Sequence, residues 1–330
     1  MIIAVQGTHK ENNNSQGAVA MLASLTSSRF QKKTLVLQLS NPKDIPIESM
    51  LGKQFRPKQA YSSTYQFTEK GIDSLLSRAV VNDDKETVII SEEQFAKSCI
   101  TVLRDSNQVP VMDVVGTTTV KDFEAGLIQN HRALEALLKN AKKYYECIYI
   151  LLPHNVPLLK EILPLVDINI ICVPQAKRQP IEKVDGKQNY VLVTDYEFHS
   201  RHLLNTIRKA YEEKKIFAMP HNVDYKDALV DCELLNFIYT NSKNDEVDDN
   251  YVFIENLMKL LKEYIKDEET ESRFEDGVIM NFDETSIPAI EPEVSVNYNT
   301  VMPVSDSNFT TTTQRGGFMK RPDISVVYRQ

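Results

Sequence analysis

Short apolar runs alternate with segments of helical periodicity along most of the first 266 residues. The runs predict strands at Ile2–Val5, Thr34–Leu39, Val109–Val115, Cys147–Leu152, Ile168–Val173, Asn189–Val193 and Lys215–Met219. Apolar residues at helical spacing predict helices at Gln16–Arg29, Gly71–Val81, Lys121–Tyr144, Val156–Val166, Arg201–Tyr211 and Asn250–Lys266. Some strands are apolar on both faces, which is typical of a parallel sheet covered on both sides. The pattern predicts an α/β fold, with a doubly wound, mostly parallel sheet flanked by helices and right-handed crossovers.

The segment Asn250–Lys266 is amphipathic, and two interpretations of it remain open. Its apolar residues line roughly one face, and they are Val252, Ile254, Leu257, Leu260, Leu261 and Ile265. A helix docked on the core is the interpretation that we favour. A membrane-surface helix is the alternative, although its mixed charges would gain little from anionic lipid.

After residue 266 the periodic pattern stops. We predict a domain over 1–266, an acidic disordered linker over 267–314 and a basic, partly apolar segment over 315–330. The net charge is −8, and the residues after 266 hold 12 acids and 5 bases, so the first 266 residues are near neutral. A near-neutral body does not predict broad DNA coating, although a local basic patch remains open. The last segment could dock on a partner or on the body, or could be a loose end.

The composition also bears on compartment and metal content. The four cysteines are widely scattered, which favours buried, reduced thiols in a cytoplasmic protein. No basic region and long apolar stretch open the chain, and no apolar run could cross a bilayer, so we expect neither a signal peptide nor an integral membrane segment. His199 and His202 are three apart without a cysteine or a second histidine pair nearby, so we expect no metal site.

The first strand, loop and helix have the layout of a phosphate-binding loop, but not its residues. The loop from Thr8 to Gln16 contains no glycine, and asparagines fill its centre. Glycine lets consecutive backbone N–H groups turn inward toward a phosphate, and asparagine tolerates the left-handed region better than other non-glycine residues, so the loop can still turn tightly. Asn14 or Ser15 could cap the helix. We therefore expect at most weak anion or nucleotide binding at the start of this helix.

The stretch "MIIAVQGTHKENNNSQGAVAMLASLTSSRFQKKTLVLQL" resembles the start of the ParA/MinD group of P-loop ATPases. That group has a KGGxGK[ST]-type loop between its first strand and helix, and a second strand with aspartates near its end. In this resemblance Lys10 falls at the early signature lysine, Ser15 at the later lysine and Gln16 at the magnesium-binding Ser/Thr. Gln38 and Ser40 stand where the group usually has aspartates.

The resemblance continues downstream to about residue 265. The stretch "YYECIYILLPHNVPLLKEILPLVDINIICVPQ" is similar to the group's segment around a metal-organising aspartate, with Leu151 at that position. The stretch "YVLVTDYEFHSRHLLNTIRKAYEEKKIFAMPHNVDYKDAL" is similar to the part whose loops flank adenine. The resemblance implies that these loops are Thr194-Asp195 and Pro220-His221-Asn222.

The departures from the group all fall at one site. The loop lysine, the magnesium-binding hydroxyl and the candidate metal-organising aspartates are absent together, which indicates a degenerate ATPase. No catalytic residue or metal ligand is predicted, and any ATP or ADP with Mg²⁺ would bind weakly. The candidate nucleotide contacts are Lys10, Asn13, Asn14, Ser15, Gln16, Thr194, Asp195, Pro220 and Asn222.

The resemblance implies a protein that partitions or positions cargo. The cargo would be plasmid or mobile-element DNA, or a pilus or conjugation apparatus. We expect the protein to act mainly through contacts with protein partners. It could form a homodimer, and we expect its contact with DNA to be indirect or local.

Two other functions remain open from the sequence. The first is an active nucleotide-dependent dimer switch in which Lys10 reaches a partner's phosphates. The second is a small-molecule enzyme on a doubly wound sheet that uses Asp113 or His154. We expect Asp113 to lie at the end of its strand, at the sheet edge where α/β proteins bind ligands.

Overall fold

An eight-stranded sheet forms the centre of the described part of the chain. The computed structural model describes residues 1–8, 14–39, 45–55, 71–79, 90–116, 131–152, 156–175, 181–213, 215–242 and 248–265. The strands are β1 (Ile2–Gly7), β2 (Thr34–Gln38), β3 (Cys99–Arg104), β4 (Pro110–Val115), β5 (Cys147–Leu152), β6 (Ile168–Pro174), β7 (Gln188–Tyr196) and β8 (Ile216–Pro220). Their order in the sheet is β3-β4-β2-β5-β1-β6-β7-β8.

Every pair of neighbouring strands in this sheet is parallel except β3 and β4. The prediction of a doubly wound, mostly parallel α/β fold is therefore confirmed. Because the carboxyl ends of the parallel strands meet at one edge, residues that follow β1, β6, β7 and β8 come together there.

The helices flank both faces of the sheet. They are α1 (Asn14–Arg29), α2 (Ile47–Leu51), α3 (Ile72–Arg78), α4 (Glu92–Ser98), α5 (His131–Ala141), α6 (Val156–Ile162), α7 (Leu204–Tyr211), α8 (Val223–Val230), α9 (Leu234–Ser242) and α10 (Asp249–Lys262). Short 3₁₀ turns at Lys53–Phe55 and Leu163–Leu165 follow α2 and α6.

Alternating side chains of each central strand enter different cores. On β1, Ile3 and Val5 pack with α1 and α10, whereas Ile2 and Ala4 pack on the opposite face with α5 and α6. A smaller cluster lies beneath α7 on β7 and β8. Burying one large aliphatic side chain contributes about 1.5 to 3 kcal/mol, so strands that are apolar on both faces are stable only between two helical layers.

The amphipathic helix α10 docks on the core, as the favoured interpretation predicted. It packs against β8 and α1, and Phe253, Leu257 and Leu261 are fully buried. The face differs slightly from the predicted one, because Phe253 is buried where Val252 was expected and Val252 is only half-buried. The large aromatic ring takes the position nearest the core.

Some element boundaries differ from the sequence prediction for local reasons. The predicted helix Val156–Val166 ends at Ile162, because Pro164 cannot continue an α-helix and a 3₁₀ turn follows. Of the predicted helix Lys121–Tyr144, His131–Ala141 is helical, and residues 121–130 lie outside the described ranges. β3 was missed; it is the antiparallel edge strand, and its run is short.

The expectation for Asp113 is corrected by the register of the sheet. Asp113 lies inside β4 and pairs with Leu35, near the amino end of β2, rather than at the carboxyl edge. It is 5% exposed, and its two oxygens accept hydrogen bonds from Thr101 Oγ1 at 2.7 Å and Tyr145 Oη at 2.8 Å. This carboxylate therefore stabilises the packing of the β3–β4 pair. His154 lies outside the described residues.

All four cysteines are free and buried, as predicted. Within the described ranges, every helix is too short or too polar to cross a bilayer. The predicted linker and terminal segment, 267–314 and 315–330, lie outside the described residues, so the domain boundaries stay predictions.

Candidate functional site

The carboxyl ends of β1, β6 and β7 adjoin the start of α1. In the sheet register Gly7 pairs with Cys172, and Pro174 pairs with Thr194. Just after β1, the Thr8 N–H donates to the carbonyl oxygen of Cys172 at 3.2 Å. The start of α1, where a phosphate-binding loop would lead into its helix, therefore lies beside the end of β7.

The side chain of Asn14 links α1 directly to the end of β7. Asn14 is the first residue of α1, and its Nδ2 donates to Thr194 Oγ1 at 3.2 Å and to Asp195 Oδ2 at 3.3 Å. Thr194 is 2% exposed and donates in turn to the carbonyl oxygen of Val173. Three of the predicted site residues thus come together at the helix start.

Two amides hold the segment that leads into α2. Gln16 is 7% exposed, and its Nε2 donates to the carbonyl oxygen of Ile45. Gln38, at the end of β2, is also buried, and its Oε1 accepts from the Ile47 N–H at 3.4 Å. In the family resemblance these are the positions of a magnesium-binding hydroxyl and of an aspartate. Here both side chains bind the backbone of the same short segment.

Of the other predicted nucleotide contacts in the loop, Ser15 is described, and Lys10 and Asn13 are not. Ser15 is 8% exposed in the first turn of α1. Lys10 and Asn13, like Ser40, lie outside the described residues. Leu151, at the position of the group's metal-organising aspartate, is 5% exposed and packs in the same core as α1. No oxygen ligand can come from that side chain.

Asp195 lies in a charged cluster at the end of β7. It has a φ of 55°, in the left-handed region that non-glycine residues seldom adopt. Its Oδ1 is 2.8 Å from Lys226 Nζ on α8 and 3.4 Å from His221 Nδ1. His221 Nδ1 also lies 3.5 Å from Glu197 Oε1. Because Asn14 binds the other oxygen of Asp195, this cluster places a carboxylate beside the amino terminus of α1, where negative charge is favourable.

Pro220 and Asn222 have structural roles in the described residues. Pro220 ends β8 and pairs with Tyr196. Asn222 caps α8, because its Oδ1 accepts from the Tyr225 N–H at 2.7 Å, and its Nδ2 donates to Asn250 Oδ1 at 2.7 Å. Both polar ends of this side chain are thus used to join α8 to α10.

Tyr225 and Lys226 were missed by the sequence analysis. The Tyr225 ring stacks on Phe253 with centroids 4.7 Å apart, and its buried hydroxyl has no hydrogen-bond partner among the described residues. Burial, aided by Cys172 and Asp195, raises the pKa of Tyr225. Gly17 in α1 is the signal that could have indicated this contact, since a glycine inside a helix often marks a close approach.

The cluster offers hydrogen-bonding groups rather than a catalytic set. Among the described residues, no group of three or more His, Cys, Asp and Glu side chains is arranged to hold a metal ion. Asn14, Thr194 and Asp195 provide one amide, one hydroxyl and one carboxylate, and each already binds another protein group.

The fold is similar to solved structures, whereas no family model and no curated protein matches the chain. A ParA family ATPase of Chlorobium tepidum TLS is 11% identical with a TM-score of 0.54, covering 79% of this chain and 98% of that one. MinD in the MinC:MinD cell division complex of Aquifex aeolicus is 13% identical with a TM-score of 0.54, covering 81% and 98%. A plasmid partition protein of Borrelia burgdorferi B31 bound to AMPPNP is 15% identical with a TM-score of 0.50, covering 80% and 99%. Identities this low establish the architecture alone, and the described part of this chain has the fold of the ParA/MinD group of P-loop ATPases.

Proposed function

We propose that this chain is a ParA/MinD-like positioning or partitioning protein of the cytoplasm that has lost ATP hydrolysis and acts through protein contacts. Its cargo would be plasmid or mobile-element DNA, or a pilus or conjugation apparatus, with DNA contacted indirectly or locally. The fold supports this role, because similar structures include a plasmid partition protein and MinD bound to MinC.

One observation carries the loss of hydrolysis. The amide of Gln16 binds the backbone of Ile45, just before α2, and the amide of Gln38 binds that of Ile47, the first residue of α2. In an active P-loop ATPase a hydroxyl holds Mg²⁺ beside the phosphates. A neutral amide that already donates to a part-buried carbonyl supplies neither a metal ligand nor a positive charge, and losing that hydrogen bond costs about 0.5 to 1.5 kcal/mol.

Two further observations support the same conclusion. Leu151 provides no oxygen at the end of β5. Asn14 links the start of α1 to Thr194 and Asp195, so the first turn of that helix already faces a carboxylate. A nucleotide that occupied this position would have to displace the Asn14 amide from Thr194 and Asp195, which disfavours its binding.

The test is an isothermal titration of the full chain with Mg-ATP and with Mg-ADP. We expect no saturable heat at millimolar nucleotide. Binding that Lys10→Ala abolishes, while the control Lys139→Ala on α5 retains it, would establish the nucleotide-dependent switch instead. In cells, deletion of the gene should disperse the cargo, which is measured by the position of a fluorescently labelled plasmid or apparatus. Expression of the Lys10→Ala variant in the deletion strain should restore the position of the cargo.

A further inference from the structure

The loop after β7 leads into α7, and the stretch from Phe198 to the end of α7 is largely exposed and carries no acidic residue. From Phe198 to Tyr211 the chain contains no Asp or Glu, although its net charge is −8. Three cations lie in this stretch, and Arg201, Arg208 and Lys209 are all exposed. Together with Phe198 and Leu203 they are named here the 198–209 surface.

Two large apolar side chains of this surface face solvent. Phe198 is 52% exposed and Leu203 is 49% exposed. Phe198 makes an edge contact with Tyr196, with ring centroids 5.2 Å apart, and this contact fixes one side of the ring and leaves the rest accessible. These two side chains supply the apolar part of the surface that a protein partner could contact.

The loop that carries these side chains is held in one conformation by Gln175. Its Nε2 donates to the carbonyl oxygens of Glu197 at 3.0 Å and His202 at 2.9 Å, and its Oε1 accepts from the Glu197 N–H at 2.9 Å. One amide thus joins the two ends of the loop. A surface ordered before binding loses little conformational entropy when a partner arrives.

The three cations are available to a partner. Arg201, Arg208 and Lys209 make no ion pair with a described carboxylate, and Arg208 donates only to Asn205 Oδ1 on its own helix. Of the acids that flank the stretch, Glu213 pairs with Lys183 at 3.1 Å, whereas Glu197 and Glu212 are exposed and make no ion pair with any of the three cations. The three cations are therefore not paired with the acids of their own loop and helix.

We propose that the 198–209 surface binds a short peptide segment of a protein partner, in which carboxylates flank an aromatic or aliphatic side chain. The carboxylates pair with Arg201 and Arg208, and the apolar side chain packs on Phe198 and Leu203. The proposed binding rests on the proposed function in one respect, because it assigns the protein contacts of that function to one face. It does not depend on whether the protein binds a nucleotide.

A nucleic acid fits this surface less well than a peptide. Proteins that bind duplex DNA through its backbone commonly make about six to ten phosphate contacts, and this stretch has three cations. The exposed Phe198 and Leu203 would gain nothing from a phosphate backbone. An apolar anchor surrounded by cations is complementary to an acidic peptide with one hydrophobic residue.

The test is selection of random 12-residue peptides displayed on phage against the full-length chain. We expect enrichment of acidic peptides that contain an aromatic or large aliphatic residue. Measured by fluorescence anisotropy, the best peptide should bind at least tenfold more weakly to Phe198→Ser/Leu203→Ser and to Arg201→Glu/Arg208→Glu. The matched controls Val109→Ser, at another exposed apolar position, and Lys259→Glu, on α10, should bind it unchanged, and thermal melting verifies that every variant folds.

Four outcomes would overturn the proposal. They are no enrichment, enrichment of basic peptides, equal binding by the surface variants, and tight binding of a DNA duplex that needs Arg201 and Arg208 but neither apolar residue. Self-association of the chain that Phe198→Ser abolishes would assign this face to a second copy instead. Each result is independent of the nucleotide titration, so the failure of one proposal is distinguishable from the failure of the other.

Discussion

The Tyr225 hydroxyl lies against the α-carbon of Gly17, so closely that a Cβ added at position 17 would overlap the phenolic oxygen. This contact brings α8 directly onto the first turns of α1, beneath the site formed by Asn14, Thr194 and Asp195. The position of the helix start thus depends on the absence of one side-chain carbon.

Substituting Gly17→Ala should destabilise the protein, although alanine favours a helix by about 1 kcal/mol over glycine. The added carbon would overlap the Tyr225 hydroxyl and lie 3.0 Å from Leu229 Cδ1, and overpacking of this kind costs about 1 to 3 kcal/mol. The free energy of unfolding in urea measures the loss. Tyr225→Phe, which removes only an unpartnered hydroxyl, should itself be near neutral and should restore much of the stability to the double variant. Additive losses would contradict the contact.

The fold class could be predicted from the sequence, because runs such as Cys147–Leu152 are apolar on both faces and only a covered parallel sheet buries them. The start of α1 could be located because an apolar strand, a polar loop and a helical pattern follow one another there. The contact of Tyr225 with Gly17 could not be predicted, since it joins residues 208 positions apart and depends on how α8 packs.

Three of the residues named as nucleotide contacts, Asn14, Thr194 and Asp195, lie together in the structure, because β1 and β7 flank β6 in the sheet. That they contact a nucleotide stays a prediction. Asn222 was predicted to contact a nucleotide, and in the structure its side chain caps α8. The sequence alone could not distinguish a capping role from a binding role. Lys226 was missed because a lysine on a helix surface has no distinctive pattern.

Substituting Gln16→Ala should cost about 0.5 to 1.5 kcal/mol in the free energy of unfolding, because the part-buried carbonyl of Ile45 would lose its amide donor. The exposed Gln54→Ala serves as the matched control and should change stability by less than about 0.5 kcal/mol. Urea unfolding of both variants measures the difference. Equal effects would mean that Gln16 does not anchor the segment before α2.

Substituting Phe253→Ala should cost about 3 to 5 kcal/mol, because the side chain is fully buried between α10 and the sheet. The neighbouring Tyr251→Ala, at a position 37% exposed, is the control and should cost far less. Chemical unfolding gives both values. If the two substitutions were equally mild, α10 would not be docked, and a membrane-surface role for this helix would become the better interpretation.

Stability should fall as the pH rises above about 9. Burial raises the pKa of Cys147 to about 11 and that of Cys172 to about 12, from an ordinary value of 9.0. Between pH 9 and these raised values, each thiol is ionised in the unfolded chain but still protonated in the folded chain. The free energy of unfolding therefore falls by about 1.4 kcal/mol per pH unit for each thiol. The stability contribution is fully present below pH 9 and is lost through the folded-state values.

Urea unfolding at pH 8, 9 and 10 measures this slope. The Cys147→Ala variant should be less stable at every pH, with a shallower decline above pH 9 than the parent chain. An unchanged slope in the variant would mean that the thiol is not protected in the folded state.

Phosphate release from Mg-ATP by the pure full-length chain tests the central claim most directly. With Gln16 and Gln38 bound to the backbone at the start of α2 and Leu151 near the end of β5, we predict no release above that of buffer. Magnesium-dependent release that follows the protein through purification, and that Lys10→Ala removes, would contradict the account.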